Sequence, residues 1–345
     1  MSDNVLRNKW YNDNDKLNYS VLVSSRVRFA RNVKKYSFSI VLSDEKAKAM
    51  REEVLDALKS SRDSGKLKYI DMADISDIEQ LANFEQNNIS RYFLLNKSPR
   101  GFLINENESL SIMLNEEDHI RIQSICGGDD INSAFVLSDN MDNIISDKIA
   151  YAFDDDFGFL TSCPTNVGTG LRASFMLHLP MLEWTGQLKN LVQIISKFGM
   201  TVRGWHGEGT EPMGSLYQVS NQVTLGKSER DIIKNLRNVT QQIIDRELKL
   251  RKNMFNENKI NFEDKIYRSF GILSNCKKIG TREAMNLLSD IRLGYCMNLD
   301  IKKFKVNIYE MMMNVQPGLL QKNLGLRLKD NERDIARAEF IKKML

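Results

Sequence analysis

The apolar pattern of this 345-residue chain changes near residue 225, and this change limits the possible folds more than any other feature. Before that point, short β-rich runs alternate with helical stretches such as Ser43–Lys59. After it, apolar residues recur at helical spacing behind Ser228, which we predict to be a helix N-cap. The chain is long enough for two domains. We therefore predict an α+β domain over residues 1–225 and an all-helical domain over residues 226–345.

The spacing of apolar residues also predicts where individual strands and helices begin and end. The strands predicted in the first part include Val21–Val23, Gly101–Ile104, Leu110–Leu114 and Gly158–Thr161. The helical segments predicted in the last third are Phe262–Leu273, Thr281–Met297, Ile301–Met313 and Asn331–Leu345.

Composition excludes several classes of protein. No apolar run approaches the ~20 residues that cross a bilayer, and the polar N-terminus does not resemble a signal peptide, so we expect no membrane association and a cytoplasmic location. The cysteines form no CxxC pair and the histidines no HExxH pattern, so we predict no metal site built from protein ligands. The net charge of +4 is too small to indicate nucleic acid binding.

Common phosphate-binding motifs fit this chain poorly. Gly168–Ala173 matches the dinucleotide pattern GxGxxA, but a lone match is a weak signal. Val219–Ser228 ends like a P-loop, yet Asn221 stands where the first glycine belongs. A protein-kinase HRD loop is also missing.

Five arginines instead share one setting, since each lies in a polar, turn-prone segment. They are Arg26, Arg28, Arg121, Arg172 and Arg203. The planar guanidinium matches phosphate oxygens and keeps its charge at any relevant pH. A surface ion pair is the commoner role for any single arginine. Five in the same kind of segment favour a site that holds a triphosphate without a P-loop.

Three segments that contain or adjoin Arg26, Arg28, Arg121 and Arg172 resemble signatures of the phosphagen (guanidino) kinases. They are Ser24–Arg28, the NEEDH motif at Asn115–His119, and Cys163–Ser174, which reads CPTNVGTGLRAS. The resemblance implies a guanidino kinase fold, similar to that of glutamine synthetase, with an antiparallel sheet flanked by helices.

Two features resemble one branch of this family, the bacterial protein-arginine kinases of the McsB type. The catalytic motifs begin almost at once and the helical domain follows them, whereas other phosphagen kinases carry a small helical domain first. Near its end the chain also has an RDxxRA motif, Arg333–Ala338. Similarity to this branch extends over nearly the whole chain.

The resemblance implies that ATP binds with Mg²⁺ bridging its phosphates. The residues implied in nucleotide binding are Ser24, Ser25, Arg26, Val27, Arg28, Arg121, Arg172, Ala173, Ser174, Phe175, Met176, Arg203, Gly204, Trp205, His206, Gly207 and Glu208. Many relatives also have a nucleotide-contacting histidine upstream of NEEDH. This chain has none before His119, and its equivalent would be Asn88 or Tyr92.

Three residues are candidates for catalysis. Glu117 is the predicted general base, because a guanidinium must be oriented and must lose a proton before its nitrogen bonds to phosphorus. Glu208 is a second carboxylate that would orient the guanidinium. Cys163 occupies the position of the family's reactive cysteine. The alternatives are solvated loop acids for the two glutamates and a small buried side chain for Cys163.

The RDxxRA motif suggests a second site. Arg333 and Arg337 lie four residues apart on one predicted helix face, with Asp334 beside them and the small Ala338 leaving space. With the subfamily resemblance, this arrangement indicates a regulatory phosphoarginine pocket. The alternative is a charged, solvated helix face.

The activity implied by the resemblance is transfer of phosphate from ATP to arginine side chains of proteins. Its implied partners are protein substrates, a zinc-containing activator protein, a heat-shock repressor and a Clp unfoldase, and the helical domain implies a homodimer. Two other functions remain open: a kinase of free arginine, and a non-catalytic reader of phosphoarginine.

Overall fold

The computed structural model describes residues 9–11, 20–59, 67–205 and 212–345. Its strands are β1 Leu22–Arg31, β2 Lys68–Asp71, β3 Gly101–Ile104, β4 Leu110–Leu114, β5 Ile120–Gly127, β6 Phe153–Asp154, β7 Gly158–Phe159, β8 Leu171–His178, β9 Met200–Gly204 and β10 Leu216–Asn221. Within the described ranges, eight of these strands form one antiparallel sheet in the order β2-β3-β4-β5-β1-β8-β10-β9, and β6 and β7 form a separate hairpin.

Helices before residue 200 connect or cover these strands. They are α1 Asp44–Lys59, α2 Asp77–Glu85, α3 Arg91–Leu95, α4 Ile131–Ser146, α5 Pro180–Trp184 and α6 Leu188–Ser196. The helices after residue 225 are α7 Glu229–Glu257, α8 Lys259–Asn275, α9 Thr281–Cys296, α10 Ile308–Asn314, α11 Pro317–Leu324 and α12 Asp330–Met344. The predicted antiparallel sheet flanked by helices and the helical C-terminal region are confirmed.

One face of the sheet forms the main apolar core. Successive side chains of a strand point to opposite faces, so Val27 and Phe29 of β1 and Phe175 of β8 all lie on the same side. They are fully buried in one cluster with residues of α1, α4 and α7. The polar residues that alternate with them must therefore face the other side.

The last helices form a second apolar core. Buried residues of α8, α9 and α10 pack there with Met176 of β8 and Leu216 of β10. The helical region therefore packs directly against one end of the eight-stranded sheet. In the described part of the chain, every helix is too short or too polar to span a bilayer.

The long helix α7 packs on the sheet. Ile232, Leu236, Val239 and Ile243 belong to the sheet's own core, and the Ser228 hydroxyl caps the helix by accepting from the Asp231 N–H at 3.1 Å. The predicted N-cap is confirmed. The domain boundary at residue 225 stays a prediction, because apolar packing is continuous across it.

For the last third of the chain, one prediction is wrong and one helix was not predicted. Residues 301–307 were expected in a helix, but they are irregular and α10 begins only after the N-cap Asn307. Ile301 and Phe304 are nevertheless buried, so their apolar character reflects packing and not helical periodicity. Helix α11 was missed because Pro317-Gly318 is typical of a turn.

Candidate active site

The open face of the sheet carries a cleft of about 380 Å³. Arg26 and Arg28 reach it from β1, because they alternate with the buried Val27 and Phe29. All five arginines singled out in the sequence line this one cleft, and so do Glu117 and Cys163. The structure therefore gathers residues that are up to 177 positions apart in the chain (Arg26 to Arg203).

Strand register brings the arginines side by side. In the β1–β8 ladder Arg28 lies opposite Arg172, and in the β1–β5 ladder Ala30 lies opposite Arg121. Arg203 comes from β9, where its partner is Gln218 of β10. Three neighbouring strands, β5, β1 and β8, and the edge strand β9 thus present guanidinium groups to a single space.

This concentration of positive charge is reflected in the pKa values. Burial, together with the charges of Arg121 and Arg172, lowers the pKa of Arg26 to about 9, which still leaves it charged at neutral pH. Burial and the neighbouring arginines also lower the pKa of Arg28 well below its ordinary value. Among the described residues, Arg28 Nε is buried and has no hydrogen-bond partner. A polyanion in the cleft would relieve the repulsion and satisfy this donor.

Glu116 is a site residue that the sequence reasoning missed. Its carboxylate is 1% exposed and lies 2.6 Å from Arg121 Nη1. Burial alone would raise its pKa, but the charge of Arg121 and hydrogen bonds from Ser90 and Arg121 hold the pKa below its ordinary value. Glu116 therefore stays ionised and fixes the direction of the Arg121 guanidinium.

Glu117 is the more exposed of the two adjacent glutamates that line the cleft. Its side chain is half-buried, and its backbone N–H donates to Glu116 Oε2 at 2.8 Å. The two adjacent glutamates therefore have different environments. The role of Glu117 as general base stays a prediction, and its position in the cleft suits that role.

The rest of the NEEDH motif shapes the loop. Asn115 has φ 63°, which asparagine tolerates well, and its amide donates to Ala47 O at 3.0 Å and Pro99 O at 2.7 Å. His119 is fully buried: Nδ1 accepts from the Val33 N–H at 3.0 Å, and Nε2 donates to Ser37 O at 2.8 Å. Burial lowers the pKa of His119, so the ring is neutral and supports the loop.

The loop that holds Cys163 is tied to NEEDH through Asp118. The Asp118 carboxylate accepts from the Ser162 N–H at 2.6 Å and from Asn32 Nδ2 at 2.7 Å. Cys163 Sγ lies 3.1 Å from the Thr165 hydroxyl. Farther along the loop, Gly170 has φ 63°, and a Cβ there would come within 2.4 Å of Arg31 Nη1, so only glycine fits.

The other residues implied in nucleotide binding divide into three groups. The side chains of Val27, Ala173 and Phe175 lie in the core on the opposite face and do not line the cleft. Ser24, Ser174 and Met176 line a small cavity next to Arg26, while Ser25 donates to Gly128 O at 2.6 Å. Gly204 and Trp205 are buried, and His206, Gly207 and Glu208 lie outside the described residues.

Asn88 and Tyr92, the two candidates to replace the relatives' nucleotide-contacting histidine, differ in position. Tyr92 lines the cleft and is 49% exposed. Asn88 is 2% exposed, and its amide donates to Asn83 Oδ1 at 3.1 Å. Of the two, Tyr92 is the side chain that a nucleotide in the cleft can reach.

The RDxxRA residues lie on α12. Arg337 is 1% exposed: its Nε donates to Val315 O at 2.7 Å, and its Nη1 donates to Ile279 O at 2.8 Å and to Asp334 at 2.7 Å. Ala338 is fully buried, whereas Arg333 is partly exposed and pairs with Asp330 at 2.5 Å. The phosphoarginine pocket stays a prediction, and Arg333 and Asp334 are its accessible members.

Comparison with solved structures identifies the class of fold. The chain aligns with the duplicated taurocyamine kinase of Schistosoma mansoni, whose structure contains transition state analog components, with TM-score 0.61 and 26% identity. The alignment covers 76% of this chain and 38% of that one. Lombricine kinase aligns with TM-score 0.60 and 22% identity over 72% of this chain and 71% of that chain. The architecture around the cleft is thus that of the phosphagen kinases.

Sequence comparison defines the family more closely. Residues 49–250 match the ATP:guanido phosphotransferase C-terminal catalytic domain, and residues 259–345 match the protein-arginine kinase McsB C-terminal domain. Proteins named protein-arginine kinase are similar along most of the chain. That of Bacillus licheniformis is 44% identical and covers 94% of this chain and 90% of its own; that of Clostridium kluyveri is 39% identical and covers 98% of each. The chain belongs to the ATP:guanido phosphotransferase family, in the protein-arginine kinase branch, and is an enzyme of this kind.

Proposed function

We propose that this enzyme transfers the γ-phosphoryl group of ATP to arginine side chains of proteins. The observation that supports this most strongly is the cleft itself, in which five arginines meet Glu117 and Cys163. The similar relatives named protein-arginine kinase supply the substrate class. Free guanidino compounds are the alternative acceptor.

The reaction needs positioning and charge neutralisation more than covalent chemistry. The arginines neutralise the phosphate oxygens of ATP. A guanidinium nitrogen of the substrate then bonds to the γ-phosphorus while the bond from that phosphorus to the bridging oxygen breaks, and ADP leaves. The proton released by the guanidinium goes to Glu117. Cys163, on the same cleft, contacts the substrate guanidinium, and Glu208 is the proposed second orienting carboxylate.

Magnesium fits this cleft only through its substrate. Among the described residues, no group of three His, Cys, Asp or Glu side chains is placed to hold a metal ion. Mg²⁺ normally binds nucleotides through phosphate oxygens and keeps several waters. We therefore propose that Mg²⁺ enters with ATP and adds to the neutralisation of the phosphate charge.

The test is to incubate the purified protein with MgATP and, separately, casein or free arginine. Acid-labile phosphate is then located by mass spectrometry under mild conditions. We expect phosphate on casein arginines and little on free arginine. Phosphate on free arginine alone would identify a small-molecule guanidino kinase. Phosphate on neither would contradict activity of the protein on its own and favour either a phosphoarginine reader or an enzyme that needs its activator.

Broader roles follow from the branch of the family. We propose that arginine phosphorylation marks proteins for a Clp-type protease and inactivates a heat-shock repressor, with help from a zinc-containing activator. We also propose that Arg333 and Asp334, supported by Arg337 and Ala338, bind phosphoarginine and regulate activity. The homodimer and the cytoplasmic location stay predictions.

A further inference from the structure

Glu85 is a buried carboxylate that the proposed chemistry does not use. It is the last residue of α2 and is 3% exposed. Its two oxygens accept from backbone N–H groups at the start of α11, from Gly318 at 2.8 Å and from Leu319 at 2.7 Å. The N-cap of α11, Gln316, makes no side-chain capping bond. Glu85 therefore supplies from 233 residues away the cap that α11 lacks.

The packing around this cap is tight. A Cβ on Gly318 would lie 2.8 Å from the backbone nitrogen of Ala82 and 2.9 Å from Glu85 Oε2. Burial raises the pKa of Glu85 to about 7, although the two N–H groups and the charges of Arg337 and Arg333 act in the opposite direction. The carboxylate is thus held away from water by close contact of α2 with α11.

The residues directly after Glu85 form one wall of the cleft. Asn87 has φ 61°, and its carbonyl accepts from Gln123 Nε2 at 2.6 Å. Ser90 donates to Glu116 Oε1 at 2.5 Å, the same oxygen that pairs with Arg121. The position of residues 86–90 therefore affects the carboxylate that orients Arg121.

The other end of the link is the C-terminal helix. The Val315 carbonyl, two residues before α11, accepts from Arg337 Nε at 2.7 Å. Contacts thus continue from the RDxxRA helix through α11 to Glu85 and from there to the cleft wall.

We infer that Glu85 is a positioning residue that couples the C-terminal helices to nucleotide binding. It fixes α11 to the end of α2 and thereby holds residues 86–90, Glu116 and Arg121 in the orientation that receives phosphate. The inference rests on the proposed function of the cleft as the ATP site.

Nucleotide affinity is the readout, because it needs no phosphoryl acceptor. We expect Glu85→Gln to weaken binding of MgADP, followed by titration calorimetry, by roughly 5- to 30-fold. Glu79→Gln is the matched control, since Glu79 lies on the same helix and caps its N-terminus near the surface; it interacts with α11 through the charge of Lys322 and not through the backbone N–H groups that Glu85 binds. If the wild type binds MgADP but does not phosphorylate casein, the proposed function fails and the inference about Glu85 is still tested by the MgADP affinities.

A second variant acts from the other side of the contact. Gly318→Ala pushes the start of α11 away from Glu85, so it should weaken MgADP binding to a similar degree. Gly271→Ala on α8 is its control, because a Cβ there meets no atom within 4 Å. If Glu85→Gln and Gly318→Ala lower the melting temperature but bind MgADP as the wild type does, Glu85 is only structural and the inference is overturned.

A double-mutant cycle tests the route. Ser90→Ala removes the hydroxyl that joins the wall to Glu116. If Glu85 acts through this wall, the double variant Glu85→Gln/Ser90→Ala should bind MgADP about as weakly as the weaker single variant. If the fold-changes in MgADP affinity of the two single variants multiply in the double variant, Glu85 does not act through Ser90.

Discussion

The molecule has two groups of arginines that the sequence alone assigns to phosphate binding, and they lie in different surroundings. In the cleft, Arg26 and Arg28 extend from a strand toward open space, and Arg28 Nε has no hydrogen-bond partner among the described residues. On α12, Arg337 is buried and its guanidinium already donates to two backbone carbonyls and to Asp334. The first group lines an open cleft, whereas Arg337 is part of the packing.

This difference shows that donor availability, and not residue type, distinguishes a binding arginine from a structural one. A guanidinium has five N–H donors, and only those left over can hold phosphate. By this criterion Arg28, whose buried Nε has no hydrogen-bond partner among the described residues, can bind phosphate. At the C-terminus, Arg333 is the arginine with an accessible side chain, while Arg337 orients Asp334 and supports the turn before α11.

The largest effect should come from the cleft. Arg172→Ala removes a guanidinium next to Arg28, and we expect kcat/KM for MgATP to fall by roughly 10³-fold or more. The steady-state rate of casein phosphorylation measures this. Arg268→Ala, which breaks an exposed ion pair with Asp264 on α8, should leave the rate nearly unchanged. Similar rates for both variants would remove Arg172 from the site.

Substitutions of the two adjacent glutamates, Glu116 and Glu117, should have the next largest effects and should change different kinetic constants. Glu117→Gln keeps the shape but removes the proposed base, so kcat should fall by roughly 10²- to 10⁴-fold with little change in KM for ATP. Glu116→Gln leaves Arg121 without its buried partner, so KM for ATP should rise. Full activity of Glu117→Gln would show that another group takes the proton.

The C-terminal arginines offer a comparison in stability. Arg337→Ala leaves Asp334 and two buried carbonyls without their donor, so the free energy of unfolding should fall by about 3 kcal/mol. Arg333→Ala should change it by less than about 0.5 kcal/mol, because its partner Asp330 is exposed. Urea unfolding checks both.

A binding assay with phosphoarginine tests the proposed pocket. Phosphoarginine binding that is lost in Arg333→Ala would place the pocket at α12. Equal binding by the wild type and Arg333→Ala would contradict it.

The smallest effect should be a pH dependence of stability. Burial raises the pKa of Glu310 from 4.5 to about 7, so between these values the folded state holds a proton that the unfolded chain releases. The free energy of unfolding should therefore decrease as pH rises from about 5 to 7.5. Glu310→Gln should flatten this decrease by roughly 1–2 kcal/mol. An unchanged slope in urea titrations would show that Glu310 is not the group responsible.

Local sequence signals predicted much of the fold. The strands Gly101–Ile104 and Leu110–Leu114 and the cap Ser228 are confirmed because turn residues and caps mark them. The segment from 301 to 307 was mistaken for helix because buried apolar side chains also occur in irregular, well-packed chain. A single sequence does not distinguish these two causes of burial.

The candidate site was partly visible in the sequence. Motif residues identified the arginines and Glu117, but strand register alone decides that Val27, Ala173 and Phe175 face the core. Which residue of the Glu116-Glu117 pair is buried against Arg121 depends on the β4–β5 loop. The contact of Glu85 with α11 crosses 233 positions and has no local signal.

The most direct test of the account is a crystal structure of the protein with MgADP. We expect the phosphates to lie in the cleft, within hydrogen-bond distance of the guanidinium groups of Arg28, Arg121 and Arg172, with Glu117 facing the space beyond the terminal phosphate. Phosphates bound elsewhere, for instance at Arg333, would contradict it.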